Sequence, residues 1–322
     1  MKNFTTTLSV SALAVILAFA SCKKEPEPVE PVTPTPSGPS AEAQLKAYFL
    51  TNRENMKQSF TKDASTAFMI SGTKGTTLNF TANSFETQSG AAVTGNVNID
   101  LIEIFDKGDM VLANAQTMAN TFGGGIEPLI SGGELFVEVS QNGSPLRLKN
   151  SKQIYINVPS FGVPDPAMGL FYGDESRGSD TLVWDQADSA RVQGTTSGYM
   201  FFSDSLRWIN CDYFYSNPNP KTNVTAVLPS GFTNKTCKLY ISFDGMKSVT
   251  SFYKYANGKY MSFSPYKLPI GLAVNFIAVA KINGTTHASI TPSTITNNIE
   301  VTLNTLSATT DAQLKTDINN LP

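Results

Sequence analysis

The stretch NVNIDLIEI, residues 96–104, decides the fold class. From Val97 to Leu101 its apolar residues alternate with polar ones, and Glu103 continues the apolar side. Alternation with a period of two indicates a strand that buries one face. Short runs of this kind, rich in β-branched and aromatic residues, recur along the chain between turn residues. We therefore expect an all-β protein.

The recurring runs form two sets, and we interpret each set as one β-sandwich domain. The first domain, residues 61–159, has predicted strands at 67–71, 77–81, 95–105, 134–140, 145–149 and 153–158. The second domain, residues 194–307, has predicted strands at 198–202, 206–211, 223–228, 238–243, 250–256, 259–263, 272–281, 285–290 and 299–303.

Asn-Gly pairs separate neighbouring strands at three places. Both residues of a type I′ turn need a positive φ, which Asn and Gly tolerate, so each pair predicts a hairpin. The middle pair also fixes a register, in which Tyr255 lies opposite Tyr260. The three pairs are Asn142-Gly143, Asn257-Gly258 and Asn283-Gly284.

A short helix is predicted at each end of the strand region. In residues 41–60, Leu45 and Tyr48 fall at helical spacing and give the segment one apolar face. Residues 308–322 contain a capping-box pattern that begins at Thr310, followed by a short apolar stripe. Both helices are expected to pack on the sheets.

Residues 160–193 differ from the rest of the chain. They are rich in proline, glycine and acidic residues and show little regular period. We interpret them as the boundary segment between the two domains, with short strands around 170–172 and 181–184. Trp184 is expected to anchor this segment to one neighbour.

Composition excludes one class of partner and indicates a compartment. The chain has 322 residues, a net charge of −2 and a pI of about 5.6. It therefore lacks the basic footprint of a nucleic-acid-binding protein. Charged residues make up only 16% of the chain, and Ser, Thr, Asn and Gly are abundant. This mixture is typical of an extracytoplasmic β protein.

Two cysteines lie on apolar strand faces of the second domain. Cys211 shares a face with Ile209, and Cys237 shares a face with Leu239 and Ile241. In an oxidising compartment such a pair can form a disulfide, and we predict one between Cys211 and Cys237. Two buried free thiols are the alternative.

The first 40 residues contain targeting signals. Residues 1–21 carry Lys2, an apolar run that ends at Ala20, and Ser21 before Cys22. This run is shorter than the roughly 20 residues that a transmembrane helix needs, so it fits a secretory signal peptide. Residues 22–40 are proline-rich with little to bury, which predicts a semi-rigid spacer.

The junction at Cys22 resembles the lipobox of bacterial lipoproteins, with Phe19 where that family most often has leucine. The resemblance implies cleavage between Ser21 and Cys22 and lipidation of Cys22. The charged tract from Lys23 to Glu27 resembles the surface-export signal of Bacteroidetes lipoproteins. The expected location is therefore the outer membrane, through a lipid anchor, and both the cell surface and the periplasmic face remain open.

Two further stretches resemble known modules. Residues 72–104 and 130–143 resemble the N-terminal module of Bacteroidetes surface lipoproteins and, more distantly, the ZU-type β-sandwich. Residues 268–290 resemble the last hairpin of prealbumin-like or carboxypeptidase-regulatory sandwiches. These families imply a binding or structural role without turnover or cofactor, with a polysaccharide or a surface protein as partner.

Candidate catalytic groups are few. The single histidine, His287, excludes zinc sites built from several imidazoles. A glycoside hydrolase needs only two carboxylates, and the acidic residues of 165–188 are the alternative source of such a pair. A calcium site and a solvated connector are the other interpretations of this cluster. Its members are Asp165, Asp174, Glu175, Asp180, Asp185 and Asp188.

Two further features of the sequence are candidate sites. One face of the 257–258 hairpin carries Tyr253, Tyr255 and Tyr260, which could form a glycan-binding platform; core packing is the alternative. Three Asp-Ser/Thr-apolar triplets resemble the O-glycosylation sequon of Bacteroidetes. Their acceptors are Thr181, Ser189 and Ser205.

Overall fold

The computed structural model describes residues 39–160, 162–175, 182–252, 254–262 and 267–322, and residues 188–190 by their backbone alone. The predicted signal peptide, its cleavage site, Cys22 and the spacer up to residue 38 lie outside these residues, as do Thr181 and Tyr253. Residues Pro39–Pro322 form one compact unit.

The described chain is mostly β-structure with three short helices, which confirms the predicted fold class. The helices are α1 (Ala41–Met56), α2 (Lys107–Leu112) and α3 (Asp311–Asn319). The strands of the first half are β1 (Gln58–Asp63), β2 (Phe68–Ser71), β3 (Thr77–Phe80), β4 (Phe85–Thr87), β5 (Asn96–Ile104), β6 (Met118–Asn120), β7 (Ile126–Gln141), β8 (Ser144–Leu148), β9 (Ile154–Pro159), β10 (Gly169–Asp174), β11 (Val183–Arg191) and β12 (Gln193–Gly194). Those of the second half are β13 (Gly198–Ser203), β14 (Arg207–Phe214), β15 (Lys221–Thr222), β16 (Val224–Val227), β17 (Cys237–Phe243), β18 (Val249–Ser251), β19 (Lys254–Ala256), β20 (Lys259–Ser262), β21 (Leu268–Pro269), β22 (Ala273–Ile282), β23 (Thr285–Thr294), β24 (Ile299–Thr302) and β25 (Ser307–Thr309).

A first sandwich is built from a nine-stranded and a five-stranded sheet. The nine-stranded sheet runs β1-β5-β7-β14-β10-β11-β6, with β8 paired to β7 and β4. The five-stranded sheet runs β12-β13-β9-β3-β2. The alternating apolar residues of β5, such as Ile99, meet those of β9, such as Ile156, in the core between the two sheets. Face-to-face packing of this kind defines a β-sandwich.

A second sandwich lies in the C-terminal half. Its sheets run β19-β20-β16-β24 and β18-β17-β22-β23-β25. Leu239 and Ile241 of β17 pack against Val224 and Ala226 of β16 in its core. Sandwich architecture is therefore present in both halves of the chain.

A third core joins the two halves. It combines helix residues such as Phe49 and Leu314 with Trp208 of the nine-stranded sheet and Tyr240 and Ile277 of the second sandwich. All three helices contribute to it. Because this core draws on both sandwiches, they belong to one compact unit.

The predicted boundary segment at 160–193 is wrong as a division between domains. It supplies β10 and β11, which are strands of the nine-stranded sheet. In addition, β6 pairs with both β11 and β7, so that β7, β14, β10, β11 and β6 form a closed ring of strands. Trp184 lies fully buried within β11, as the predicted anchor.

The local predictions at the three Asn-Gly turns and at the start of the C-terminal helix are confirmed. At the pairs 142–143, 257–258 and 283–284 both residues have positive φ, and Tyr255 pairs with Tyr260. Ser40 caps α1 by accepting a hydrogen bond from the Ala43 amide. Thr310 caps α3 in the same way. Turns and helix caps depend only on residues that are neighbours in the chain, so a short stretch of sequence is enough to predict them.

The predicted disulfide between Cys211 and Cys237 is wrong: both residues are free, buried thiols. Cys211 lies in the core of the first sandwich and Cys237 in the core of the second. The strand faces were assigned correctly, but the two strands belong to different sandwiches. Burial raises the pKa of Cys237 to about 12 and that of Cys211 well above its usual range.

We therefore expect reductant to leave the melting temperature unchanged. Neither buried thiol should react with Ellman's reagent in the folded protein, because the reactive thiolate is both inaccessible and disfavoured. The measurement uses the Cys22→Ala variant, with thiols counted before and after addition of guanidinium. A melting temperature that falls on reduction would instead support a disulfide between Cys211 and Cys237.

Candidate ligand-binding groove

A groove lies at one edge of the first sandwich. It has a volume of about 650 Å³ and is bounded by β9, β11 and β13, with Tyr172 of β10 on one side. Strand β12 pairs only with Tyr199 and Met200 of β13, so the groove opens beside the next residues, Phe201 and Phe202. This volume falls within the roughly 300–1,000 Å³ typical of small-molecule sites.

Two aromatic rings line the groove. In β9 the residues Ile154, Ile156 and Val158 point into the core, so Tyr155 faces outward. Tyr155 pairs across the strands with Phe202, and their ring centroids lie 5.1 Å apart at an angle of 47°. Phe202 is 54% exposed.

The Tyr155 ring is held in place from its far end. Its hydroxyl lies 2.8 Å from the sulfur of Met200 and donates to it. Met200 also lines the groove. The aromatic pair is therefore supported before any ligand binds.

The polar lining comes from amides and one buttressed carboxylate. The amides are those of Gln153, Gln186 and Gln193. The Tyr172 hydroxyl donates to Asp204 Oδ1 at 2.8 Å. Burial raises the pKa of Tyr172 to about 12, with Asp204 adding to the effect, so the phenol keeps its proton at neutral pH.

The charges of the groove balance. Arg191 and Asp204 are the charged residues that line it among the described part of the chain, and they carry opposite signs. Both are exposed at the rim. The lining therefore has no net charge to select an anionic or a cationic ligand.

The predicted tyrosine platform is wrong. Tyr260 is only 4% exposed and donates a hydrogen bond from its hydroxyl to the Cys237 carbonyl at 2.7 Å. Tyr255 is half-buried and packs against it, with ring centroids 5.1 Å apart. The register was predicted correctly, but this face of the hairpin points into the second sandwich. Tyr253 lies outside the described residues.

The described acidic residues of 165–188 do not line the groove. Glu175 pairs with Arg53 at 2.5 Å, and Asp185 accepts a hydrogen bond from Asn120 at 2.7 Å. Asp165 accepts from the Ala167 amide within its own turn. Asp180 and the Asp188 side chain lie outside the described residues. The hydrolase alternative stays a prediction, without a described pair of carboxylates at this groove.

Other candidate sites are placed as follows. His287 pairs with Ala280, as its turn predicts, and its Nδ1 lies 3.2 Å from the Thr285 carbonyl. Among the described residues no group of three or more His, Cys, Asp or Glu could hold a metal ion. Ser205 is half-buried beside the groove residue Asp204, and O-glycosylation there stays a prediction, as it does at Ser189 and Thr181.

The sequence patterns do not predict two buried carboxyl groups that the structure contains. Glu134 of β7 and Asp212 of β14 are both fully buried. Neither Glu134 oxygen, nor Asp212 Oδ1, has a hydrogen-bond partner among the described residues. Burial, reinforced by Asp212, raises the pKa of Glu134 well above its usual range, and burial raises the pKa of Asp212 to about 8. Asp212 is therefore mainly protonated at neutral pH, and the shift of Glu134 has the same direction.

The sequence contained a signal for the groove but not for these carboxyl groups. In GYMFFS, residues 198–203, two adjacent phenylalanines cannot both point inward from one strand, so one must face out. In β7, Glu134, Phe136 and Glu138 share one face, which reads as a solvated face. Phe136 on that face instead packs against the third core, which contains residues of all three helices, and no local pattern encodes this long-range contact.

Comparison with known proteins gives little further information. No protein-family model matches the sequence, and no curated protein matches it. Among solved structures it is similar to a γ-CGTase from alkalophilic Bacillus clarkii, with 12% identity and a TM-score of 0.20. The match covers 76% of this chain and 41% of that chain, and a likeness this weak carries no argument. No helix among the described residues is long and apolar enough to cross a membrane.

Proposed function

We propose that this protein is a lipid-anchored cell-envelope protein that binds a ligand in the groove between β9, β11 and β13. The observation that carries the binding role is the exposed, pre-supported aromatic pair of Tyr155 and Phe202 in a groove of about 650 Å³. An exposed aromatic side chain in a concave, partly polar site is typical of a ligand contact.

The N-terminal sequence supports the envelope location. The apolar run, Cys22 and the proline-rich spacer together fit a folded body held away from the outer membrane by a lipid. Stable anchoring by acyl chains needs more than one chain, which the lipidation of bacterial lipoproteins provides. The outer membrane is thus the proposed location, on its surface or its periplasmic face.

Cys22→Ala is expected to abolish incorporation of radiolabelled palmitate, because Cys22 is the cysteine of the lipobox-like junction and therefore the proposed site of lipidation. Cys237→Ala is the matched control and should label like the wild type, since Cys237 is buried in the second sandwich. Membrane fractionation of the same cells should release the Cys22→Ala protein. Equal labelling of the wild type and Cys22→Ala would exclude the anchor. Protease treatment of intact cells then distinguishes the surface from the periplasmic face.

A further inference from the structure

We infer that the ligand of this groove is a neutral sugar chain, with Phe202 and Tyr155 as its stacking surface. The inference rests on the proposed function, since it names the chemical class that the same groove would bind. Sugar rings present apolar C–H faces that pack on aromatic rings, and their hydroxyls extend at the edges. The groove offers partners for both parts.

The aromatic surface is accessible and rigid. Phe202 leaves 54% of its surface to solvent, although it lies in a strand. Tyr155 supports it at 5.1 Å and is itself tied to Met200 through its hydroxyl. A ligand ring that packs on Phe202 therefore removes apolar area from water without having to order the side chains first.

The hydrogen-bonding groups match hydroxyls. Each amide of Gln153, Gln186 and Gln193 has two donors and one acceptor, and a sugar hydroxyl is both donor and acceptor. Because the Tyr172 hydroxyl occupies Asp204 Oδ1, the carboxylate is oriented with its second oxygen available as a further acceptor.

The charge balance favours a neutral ligand. A site for a polyanion or an acidic peptide gains its affinity from an excess of Lys and Arg. Here Arg191 is balanced by Asp204. The amide and acid residues of the lining are exposed, so the groove is open along its rim and can accept an internal segment of a chain.

The test measures the binding of the purified full-length chain to three panels by affinity electrophoresis and calorimetry. The first contains neutral polysaccharides and hexasaccharides of glucose, mannose, xylose and galactose. The second contains polygalacturonate as an acidic glycan, and the third contains extended decapeptides. Phe202→Ala is compared with Phe122→Ala, a matched control that removes a ring 91% exposed on the 121–125 turn, outside the groove.

We expect at least one neutral glycan to bind, and Phe202→Ala to weaken that binding roughly fivefold or more, as the loss of one aromatic contact predicts. Phe202→Tyr should retain it, and Phe122→Ala should leave it unchanged. Binding should be equal at low and high salt, because a neutral ligand has no charge to screen. Gln186→Ala provides a second variant with a reduced affinity.

Failure takes two distinguishable forms. If only polygalacturonate or a peptide binds, and Phe202→Ala weakens it, the neutral-sugar inference is wrong while the groove remains the ligand site. If glycan binding is unaffected by both Phe202→Ala and Gln186→Ala, or if no panel binds, both the inference and the groove assignment are wrong. Thermal melts of each variant check the fold, which should be unchanged because the altered side chains are exposed.

Discussion

Raising the pH from 5 to 8 is expected to destabilise this protein by several kcal/mol. The cause is the pair of buried carboxyl groups, Glu134 and Asp212. The pKa of Asp212 is about 8 in the folded protein, against 3.8 in an exposed chain. Between these two values the folded state holds a proton that the unfolded state has released. The free energy of unfolding therefore falls as the pH rises, by about 1.4 kcal/mol per pH unit for one such group.

The direction follows from the cause of the shift. Burial is the largest contribution to the raised pKa of Asp212, and hydrogen bonds from Ser131 and Asn210, which favour the charged form, do not offset it. Burial also raises the pKa of Glu134, in the same direction. The opposite case, Asp106, has a lowered pKa, so its contribution to stability is lost only below about pH 4 and lies outside this window.

Asp212→Asn is expected to remove a large part of this pH dependence. The amide has the shape of the protonated acid but cannot ionise, so the variant should already exceed the stability of the wild type at pH 5, by a margin that grows up to pH 8. Asp317→Asn, at an exposed position of α3, is the control and should preserve the wild-type slope. The measurement is urea unfolding from pH 5 to 8. A wild-type stability that stays flat or rises over this range would contradict the buried, protonated state.

Trp184→Ala is expected to lower the free energy of unfolding by about 3–5 kcal/mol. The side chain is fully buried, and its Nε1 donates to the Gln116 carbonyl at 2.6 Å. Its ring also meets that of Trp208 edge-to-face, with centroids 6.1 Å apart. Truncation leaves a cavity in the shared middle core and an unpaired buried carbonyl. Calorimetry should show the melting temperature lowered by about 10 °C.

The same experiment tests how the two halves are joined. Since Trp184 lies in the core that both sandwiches share, the wild type and the variant should each unfold in one transition. Phe202→Ala, which removes an exposed ring, should leave the transition where it is. Two separate transitions, with only one moved by Trp184→Ala, would instead support the division into independent domains that the sequence suggested.

Patterns that depend on neighbouring residues were readable from the sequence. The alternation in β5, the cap of α3 and the register across Asn257-Gly258 are all as predicted. Each is fixed by the pleat of one strand or by the φ of one turn, so no distant residue has to be known.

The patterns that failed depend on distant contacts. Segment 160–193 has no alternation because β10 is covered on both faces: Leu170 lies in one core and Phe171 in another. Its glycines allow close packing, and a Cβ at Gly173 would lie 2.6 Å from the Cβ of Trp208. A strand that contains glycine and acidic residues has the composition of a loop, so its sequence does not indicate a strand.

The candidate site shows the same limit. Alternation correctly placed Tyr255 and Tyr260 on one face, but which face is buried depends on the sheet that packs against it. Phe202 lies in a run that is apolar on both sides, so the sequence does not distinguish it from a core residue, and only the open edge of β13 shows which ring reaches solvent. The location of a groove between two sheets can be predicted only when the packing of those sheets is known.

The contact between α2 and α3 has a kinetic consequence. Lys315 of α3 binds Asp109 of α2 at 2.6 Å, and the Gly108 amide donates to Asn319 at 2.8 Å, across more than 200 residues of sequence. Closing a loop of this length is entropically costly, and chains rich in such contacts fold slowly. The surroundings of α2 are thus completed only when residues 311–319 are available. We expect folding to be a late, global event, rather than one that begins at the N-terminus and follows the order of synthesis.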